Sequence, residues 1–120
     1  MIGFNFVADT NFLIDVHEGR DKVAPFLDGT AIVSVISEIE LLGWHKINEE
    51  EKLKLRLLLD DCIIFELTAE IRKLAIEIRQ RKKIKTPDAI IAATAKYLQI
   101  PIVSSDKGFK DISDIELILL

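Results

Sequence analysis

The sequence predicts an α/β fold, a three-layer α/β/α sandwich around a mostly parallel sheet of about five strands. Short apolar runs alternate along the chain with longer segments that have helical periodicity. The apolar runs are continuous, which is typical of strands that helices cover on both faces. The chain has 120 residues, of which 49% are hydrophobic and 30% charged. These values predict a single domain over residues 1–120 that folds without disulfides.

Five segments are predicted as strands because they are short, apolar and bounded by polar or turn residues. They are residues 4–8, 31–35, 62–67, 102–104 and 116–119. The third segment begins with Cys62, the one cysteine of the chain, which is expected to be a small buried apolar residue. Since one cysteine cannot form a disulfide framework, a reducing cytoplasmic location is expected.

The segments between the strands are predicted as helices. They are residues 11–18, a short one around 21–27, 37–47, 49–59, 69–82 and a last helix that begins immediately after Thr86. In the last helix Thr86 is expected to be the N-cap, with Pro87 at the first helical position. Residues 89–95 are apolar nearly all round, so this helix should be the most buried.

The overall charge restricts the partners of the chain only weakly. A net charge of −4 argues against a protein that binds nucleic acid through phosphate contacts alone. It does not argue against a nuclease, because a nuclease site needs carboxylates to hold a divalent cation. No run approaches the length of a membrane helix, and the N-terminus lacks the basic opening of a signal peptide. A soluble cytoplasmic protein with no membrane partner is therefore expected.

Four isolated acids fall at the junctions between predicted strands and helices. Asp9 follows the first strand, Asp106 follows the fourth, and Glu40 and Asp88 lie in the first turns of predicted helices. In a parallel sheet these junctions share one edge, so the four carboxylates are expected to converge. Their mutual repulsion would be strong without a cation, and oxygen ligands without His or Cys indicate Mg²⁺ or Mn²⁺.

Each acid also has a purely structural interpretation. Asp9 and Asp106 suit N-caps, and Asp88 suits the positive end of a helix dipole. Glu40 stands three residues after Ser37, which is the spacing of a capping box. A fifth acid, Glu38, competes with Glu40 for the side of the helix that faces the junctions.

Four short motifs, in order, resemble those of the PIN-domain family, in particular the VapC-like toxins of type II toxin–antitoxin pairs. They are residues 9–11 (Asp-Thr-Asn), 34–41 (Ser-Val-Ile-Ser-Glu-Ile-Glu-Leu), 86–95 (Thr-Pro-Asp-Ala-Ile-Ile-Ala-Ala-Thr-Ala) and 104–109 (Ser-Ser-Asp-Lys-Gly-Phe). The third motif is the most specific, and together they span nearly the whole chain. Gly108 stands where many relatives carry another acid, and Ser104 replaces the more usual threonine, so the number of metal ions stays open.

The resemblance implies a PIN-like fold and an Mg²⁺- or Mn²⁺-dependent endoribonuclease. It implies catalytic roles for all four acids. We expect Asp9, Asp88 and Asp106 to be metal ligands, and Glu40 to be an outer-sphere ligand or to orient the attacking water. A cognate antitoxin and a homodimer are the expected protein partners. Two polar residues are expected to support the carboxylates or the substrate through hydrogen bonds, or else to serve as turn and cap residues: Asn11 and Ser104.

A dense basic run precedes the third motif and is the candidate RNA-binding segment. Its cations are Arg79, Arg81, Lys82, Lys83 and Lys85. The alternative is that they are solvated cations at a helix C-terminus, where they complement the helix dipole.

Upstream, Trp44 is predicted to lie on a helix in the core or an interface. Residues 53–59 hold more leucines than one helix face can bury, which indicates a homodimer or partner-protein surface; the alternative is that these leucines simply belong to the core.

Two other classes of protein compete with the nuclease. A receiver or an aspartyl phosphatase should show paired acids near the first strand, and the segment from Asp9 to Asn11 lacks the second acid. A degenerate PIN domain that binds RNA or protein without cleavage is the second alternative, and the missing acid at Gly108 favours it. Cleavage of RNA that depends on a divalent metal would separate these possibilities.

Overall fold

A computed structural model describes residues 3–120; residues 1 and 2, the start of the predicted domain, lie outside the described part. Five strands form one sheet with the order β3-β2-β1-β4-β5, and every neighbouring pair is parallel. The strands are β1 (Asn5–Ala8), β2 (Thr30–Ser34), β3 (Ile63–Phe65), β4 (Ile102–Ser104) and β5 (Leu117–Leu119). The predicted α/β class and parallel sheet are confirmed.

Five α-helices and two short 3-10 helices connect the strands. The α-helices are α1 (Thr10–His17), α2 (Val35–Leu42), α3 (Glu49–Asp60), α4 (Ala69–Arg81) and α5 (Thr86–Leu98), and the 3-10 helices are Asp21–Phe26 and Lys107–Phe109. Among the described residues, no helix is long and apolar enough to cross a membrane.

The sheet is covered on both faces because neighbouring residues of each strand point in opposite directions. Val7 of β1 joins a core that contains the buried residues of α4 and α5. Phe6 and Ala8 join a second core, which contains Phe12 of α1 and Leu59 of α3. This alternation explains why the strands read as continuous apolar runs, and it produces the predicted three layers.

Helix α2 differs most from its prediction. It begins at Val35, immediately after β2, because the Ser34 hydroxyl caps it by accepting from the backbone N–H of Ile36 at 3.2 Å. The predicted capping box of Ser37 and Glu40 is therefore wrong. The helix ends at Leu42 instead of residue 47, so Trp44 lies in a loop with 48% of its surface exposed and not in the core.

The start of α5 differs by one residue from its prediction. Lys85 occupies the N-cap position without a side-chain hydrogen bond, and Thr86 is already helical, so the N-cap expected at Thr86 is wrong. Pro87 is tolerated because the first amides of a helix lack intrahelical acceptors. Residues 89–95 are all buried, as their composition predicts.

The strand order creates a topological switch point. From β1 the chain continues to β2 and β3 on one side, then crosses to β4 and β5 on the other side of β1. At such a switch the connections after the two adjacent strands, here β1 and β4, turn away from each other and leave a crevice at their carboxyl ends. The crevice at the carboxyl ends of β1 and β4 is therefore the expected position of a ligand site.

Candidate active site

An open cleft of about 230 Å³ lies at this switch point. It adjoins Asp9, which directly follows β1, and Asp106, the second residue after the end of β4. The residues that line it are Asp9, Thr10, Asn11, Glu40, Lys85, Pro87, Asp88 and Asp106. The fold thus brings the four predicted acids, distant in sequence, to one surface.

The carboxylate of Asp9 is buried and fixed by two donors. Its Oδ1 accepts from the backbone N–H of Phe12 at 2.8 Å, which makes Asp9 the N-cap of α1. Its Oδ2 accepts from the Ser104 hydroxyl at 2.7 Å, and the same Ser104 oxygen accepts from the backbone N–H of Asp106 at 2.8 Å. Ser104 therefore joins the ends of β1 and β4 and orients Asp9 without lining the cleft itself.

The carboxylate of Asp106 also combines a structural contact with a place in the cleft. Its Oδ1 accepts from the backbone N–H of Gly108 at 2.7 Å and caps the 3-10 helix Lys107–Phe109. A Cβ atom at Gly108 would lie only 3.0 Å from this Oδ1, a tighter contact than most Cβ atoms make. The glycine at this position therefore leaves room for the Asp106 carboxylate.

The two glutamates of α2 face different surroundings. Glu38 forms an ion pair with Arg56 of α3 at 3.1 Å, whereas Glu40 lines the cleft. Glu40 Oε1 lies 2.8 Å from the hydroxyl of Thr10, which itself lies 2.9 Å from the hydroxyl of Ser37. The ambiguity between the two glutamates is resolved by geometry, because only Glu40 is in the cleft.

Asp88 and Lys85 enter the cleft together at the start of α5. Burial, and then the negative charges of Asp106 and Glu40, raise the pKa of Asp88, and the Lys85 ammonium opposes that rise. Lys85 is thus the one cation among the residues that line the cleft.

Burial makes the Asp9 carboxylate costly to ionise. Desolvation raises the pKa of Asp9 from its ordinary value of 3.8 to about 6, and the charges of Asp106 and Asp88 add to the effect. The hydrogen bonds from Ser104 and Phe12 oppose it without cancelling it. A cation in the cleft would relieve both the desolvation and the repulsion.

The donor chemistry of the cleft fits a hard divalent cation such as Mg²⁺. Its candidate ligands are all oxygen atoms. In the described part of the chain, however, no three His, Cys, Asp or Glu side chains already have the mutual spacing of a metal site. Mg²⁺ tolerates such an open arrangement, because it keeps several waters and is commonly bound through one or two carboxylates and the substrate's phosphates.

The predicted basic segment is dispersed by the fold. Only Lys85 reaches the cleft, while Arg79 donates from Nε to the backbone carbonyl of Ile84 at 3.2 Å and so ties the connection between α4 and α5. Arg81 and Lys82 line a separate, smaller cavity of about 110 Å³. The predicted supporting residue Asn11 does line the cleft.

Sequence reasoning missed the contribution of Thr10 and Ser37. Thr10 follows Asp9 directly, and its hydroxyl next to a candidate site residue was the available signal. Ser37 does not form the predicted cap, and its hydroxyl instead contacts Thr10 from within α2. Both belong to the polar network behind Glu40.

Comparisons with known proteins agree with this fold. The family model described as "PIN domain" matches residues 6–115. A sequence comparison with curated proteins finds no significant match.

Several solved structures superpose on nearly the entire chain. A chain of VapBC2 from Rickettsia felis, bound to a promoter DNA fragment, has 22% identity and a TM-score of 0.85, with 98% of this chain and 99% of that chain covered. A chain of a toxin–antitoxin complex from Klebsiella pneumoniae has 27% identity and a TM-score of 0.81, with coverages of 94% and 95%. A chain of VapBC-1 from nontypeable Haemophilus influenzae has 20% identity and a TM-score of 0.80, with coverages of 97% and 98%. With its four motifs, its parallel sheet and a family model that matches most of its length, the chain belongs to the PIN-domain family.

Proposed function

We propose that the protein is an Mg²⁺- or Mn²⁺-dependent endoribonuclease that hydrolyses phosphodiester bonds in RNA. Asp9, Asp88 and Asp106 hold the metal ion, and Glu40 orients or deprotonates the attacking water. The observation that carries the proposal is the shared cleft: four carboxylates from separate parts of the chain line one surface at the switch point of the sheet. Such a concentration of negative charge is costly without a cation.

The chain's own residues divide the work of the reaction. Asp9 is held by Phe12 and Ser104, so its ligand atoms need little reorganisation. Glu40, the exposed acid of the cleft, is accessible to water and substrate. When bound, the metal ion polarises the scissile phosphate and lowers the pKa of a coordinated water. Lys85 supplies a positive charge beside the phosphate, and the other residues that line the cleft supply none.

The direct test is RNA cleavage by the purified chain with Mg²⁺ or Mn²⁺ and with EDTA. Asp9→Asn and Asp88→Asn should each reduce the rate by at least about a hundredfold, since each removes a charged ligand. Asp60→Asn is the matched control, because Asp60 is exposed at the end of α3 and does not line the cleft. Cleavage that survives both chelation and the two cleft substitutions would exclude the proposed mechanism.

We further propose that the chain is the toxin of a toxin–antitoxin pair and forms a homodimer. The 27% identity to a chain of a toxin–antitoxin complex supports the toxin role. The chain also has apolar surface available for partners: Ile39 of α2 and Leu53 and Leu57 of α3 are each more than half exposed. Growth arrest on expression, reversed by the product of an adjacent small open reading frame, would support this role; normal growth of cells that contain active enzyme would contradict it.

A non-cleaving PIN domain that binds RNA or protein is the second candidate. It is favoured by the absence, within residues 3–120, of three acids at metal-site spacing. RNA binding that is unaffected by Mg²⁺, together with no cleavage at any divalent metal concentration, would establish it in place of the nuclease.

A further inference from the structure

Two hydroxyl groups, that of Thr10 in the lining of the cleft and that of Ser37 next to it, have no role in the reaction as described so far. Thr10, the first residue of α1, has its Oγ1 2.8 Å from Glu40 Oε1 and 2.9 Å from Ser37 Oγ. A hydroxyl has one hydrogen to donate and an ionised carboxylate only accepts. Thr10 therefore donates to Glu40 and accepts from Ser37, which forms a chain of hydrogen bonds from α2 through α1 and back to α2.

Glu40 needs such a contact because its side chain is long, exposed and surrounded by like charge. Among the described residues, Thr10 is the one side chain that forms a hydrogen bond with the Glu40 carboxylate. The other carboxylates of the cleft, including Asp88, repel it, and repulsion favours rotamers that turn out into solvent. A charge-assisted hydrogen bond from Thr10 opposes that movement.

The donor is itself well restrained. Threonine is β-branched, so its χ1 angle has few accessible values within a helix. Ser37, which contacts the Thr10 hydroxyl, is 0% exposed, so the groups packed around it restrain the position of its own hydroxyl. Thr10 also follows Asp9, whose carboxylate is fixed to Phe12 and Ser104. The chain of hydrogen bonds therefore has rigid anchors on both sides.

We propose that Thr10, supported by Ser37, is a positioning residue that holds the Glu40 carboxylate in the cleft. The inference rests on the proposed function, because it is Glu40 as the water-orienting group that makes its position matter. Thr10 acts through Glu40, with which its hydroxyl forms a hydrogen bond. The hydroxyl pair thus couples α1, which carries Asp9 at its cap, to α2, which carries Glu40.

The test compares Thr10→Val, Thr10→Ser and a control, Thr94→Val, in the RNA cleavage assay. Valine keeps the shape of Thr10 without the donor, so kcat should fall by about tenfold to a hundredfold while KM stays unchanged. Thr10→Ser should restore most of the rate, since it returns the hydroxyl. Thr94 donates to the backbone carbonyl of Ile90 at 2.8 Å and lies outside the cleft, so Thr94→Val should leave kcat unchanged.

A Glu40→Ala background separates positioning from a general structural role. If Thr10 acts through Glu40, Thr10→Val should cause no further loss of kcat when Glu40 is already alanine. A full additional loss in that background, or a failure of Thr10→Ser to rescue, would overturn the proposal.

Thermal unfolding tests the same contact without catalysis. Thr10→Val should lower the Tm in the wild-type background and lower it less in the Glu40→Ala background, because the hydrogen bond is then already gone. Equal lowering in both backgrounds would overturn the proposed contact. If the wild-type chain cleaves no RNA, the nuclease proposal fails. The unfolding comparison still tests whether Thr10 forms a hydrogen bond with Glu40, because it does not depend on catalysis.

Discussion

Replacement of Asp9 by asparagine should stabilise the metal-free protein, although it should abolish the proposed activity. The side chain is only 3% exposed, and burial raises the pKa of its carboxyl from 3.8 to about 6. That difference corresponds to about 3 kcal/mol of cost for the ionised folded state. Asparagine carries no charge to desolvate and keeps an oxygen that accepts from the backbone N–H of Phe12.

The gain is partly offset, because asparagine cannot replace the carboxylate oxygen that accepts from Ser104. Loss of that bond costs about 1 kcal/mol, which leaves a net stabilisation of about 2 kcal/mol above pH 6. For a chain of this length that raises the Tm by about 5–10 °C. Asp60→Asn, which removes an exposed charge away from the cleft, is the control for the change in net charge.

The pH dependence of this difference has a defined sign. The raised pKa means that the folded state binds the Asp9 proton more tightly than the unfolded state does. Stability of the wild type therefore falls as the pH rises from about 4 to about 6, and the advantage of Asp9→Asn appears over that interval. Urea or thermal unfolding in EDTA from pH 4 to pH 8 measures it. A variant that is no more stable than the wild type at pH 8, or a difference that does not vary with pH, would refute the reasoning.

Three further predictions concern residues around the same carboxylates. Ser104→Ala removes a hydrogen bond that lowers the pKa of Asp9, so the Asp9 carboxyl should lose its proton at a higher pH. The increase in Tm caused by Mg²⁺, measured against pH, should therefore begin at a higher pH than in the wild type. An unchanged pH dependence of this increase would contradict the role of Ser104. Lys85→Met should strengthen Mg²⁺ binding about two- to fivefold, because a competing cation leaves the cleft, yet slow RNA cleavage about tenfold. Faster cleavage, or an equal effect of the exposed neighbour substitution Lys83→Met, would argue against phosphate contact by Lys85. Gly108→Ala places a Cβ atom about 3.0 Å from Asp106 Oδ1 and should weaken Mn²⁺ binding several-fold by titration; unchanged affinity would show that Asp106 adjusts freely.

Much of the sheet could be read from the chain alone. Strand β4 matches residues 102–104 as predicted, and the other strands differ from prediction by one or two residues at their ends. Continuous apolar runs identify such strands because both faces of the sheet are buried, so the signal does not depend on how the strand is paired. The same holds for α5, whose residues 89–95 are apolar on every side and are all buried.

Local signals failed where two interpretations of the same residues competed. Ser37 and Glu40 have the spacing of a capping box, yet Ser34 caps α2 three residues earlier. The helix therefore begins at Val35, directly at the end of the strand, and Ser37 becomes a buried interior residue. A capping motif indicates which residues are suited to the first turn of a helix. The position at which the helix begins also depends on where the preceding strand ends.

By itself the sequence determined the parallel α/β class and the presence of isolated acids at the ends of strands, because both follow from composition and from short-range periodicity. Only the tertiary structure decided that Glu40 enters the cleft while Glu38 pairs with Arg56, and that Lys85 alone of the basic segment reaches the acids. The reason is geometric: side chains of successive helical residues point about 100° apart, so the direction of each depends on how the helix is rotated against its neighbours. That rotation is set by packing between elements that are far apart in the chain.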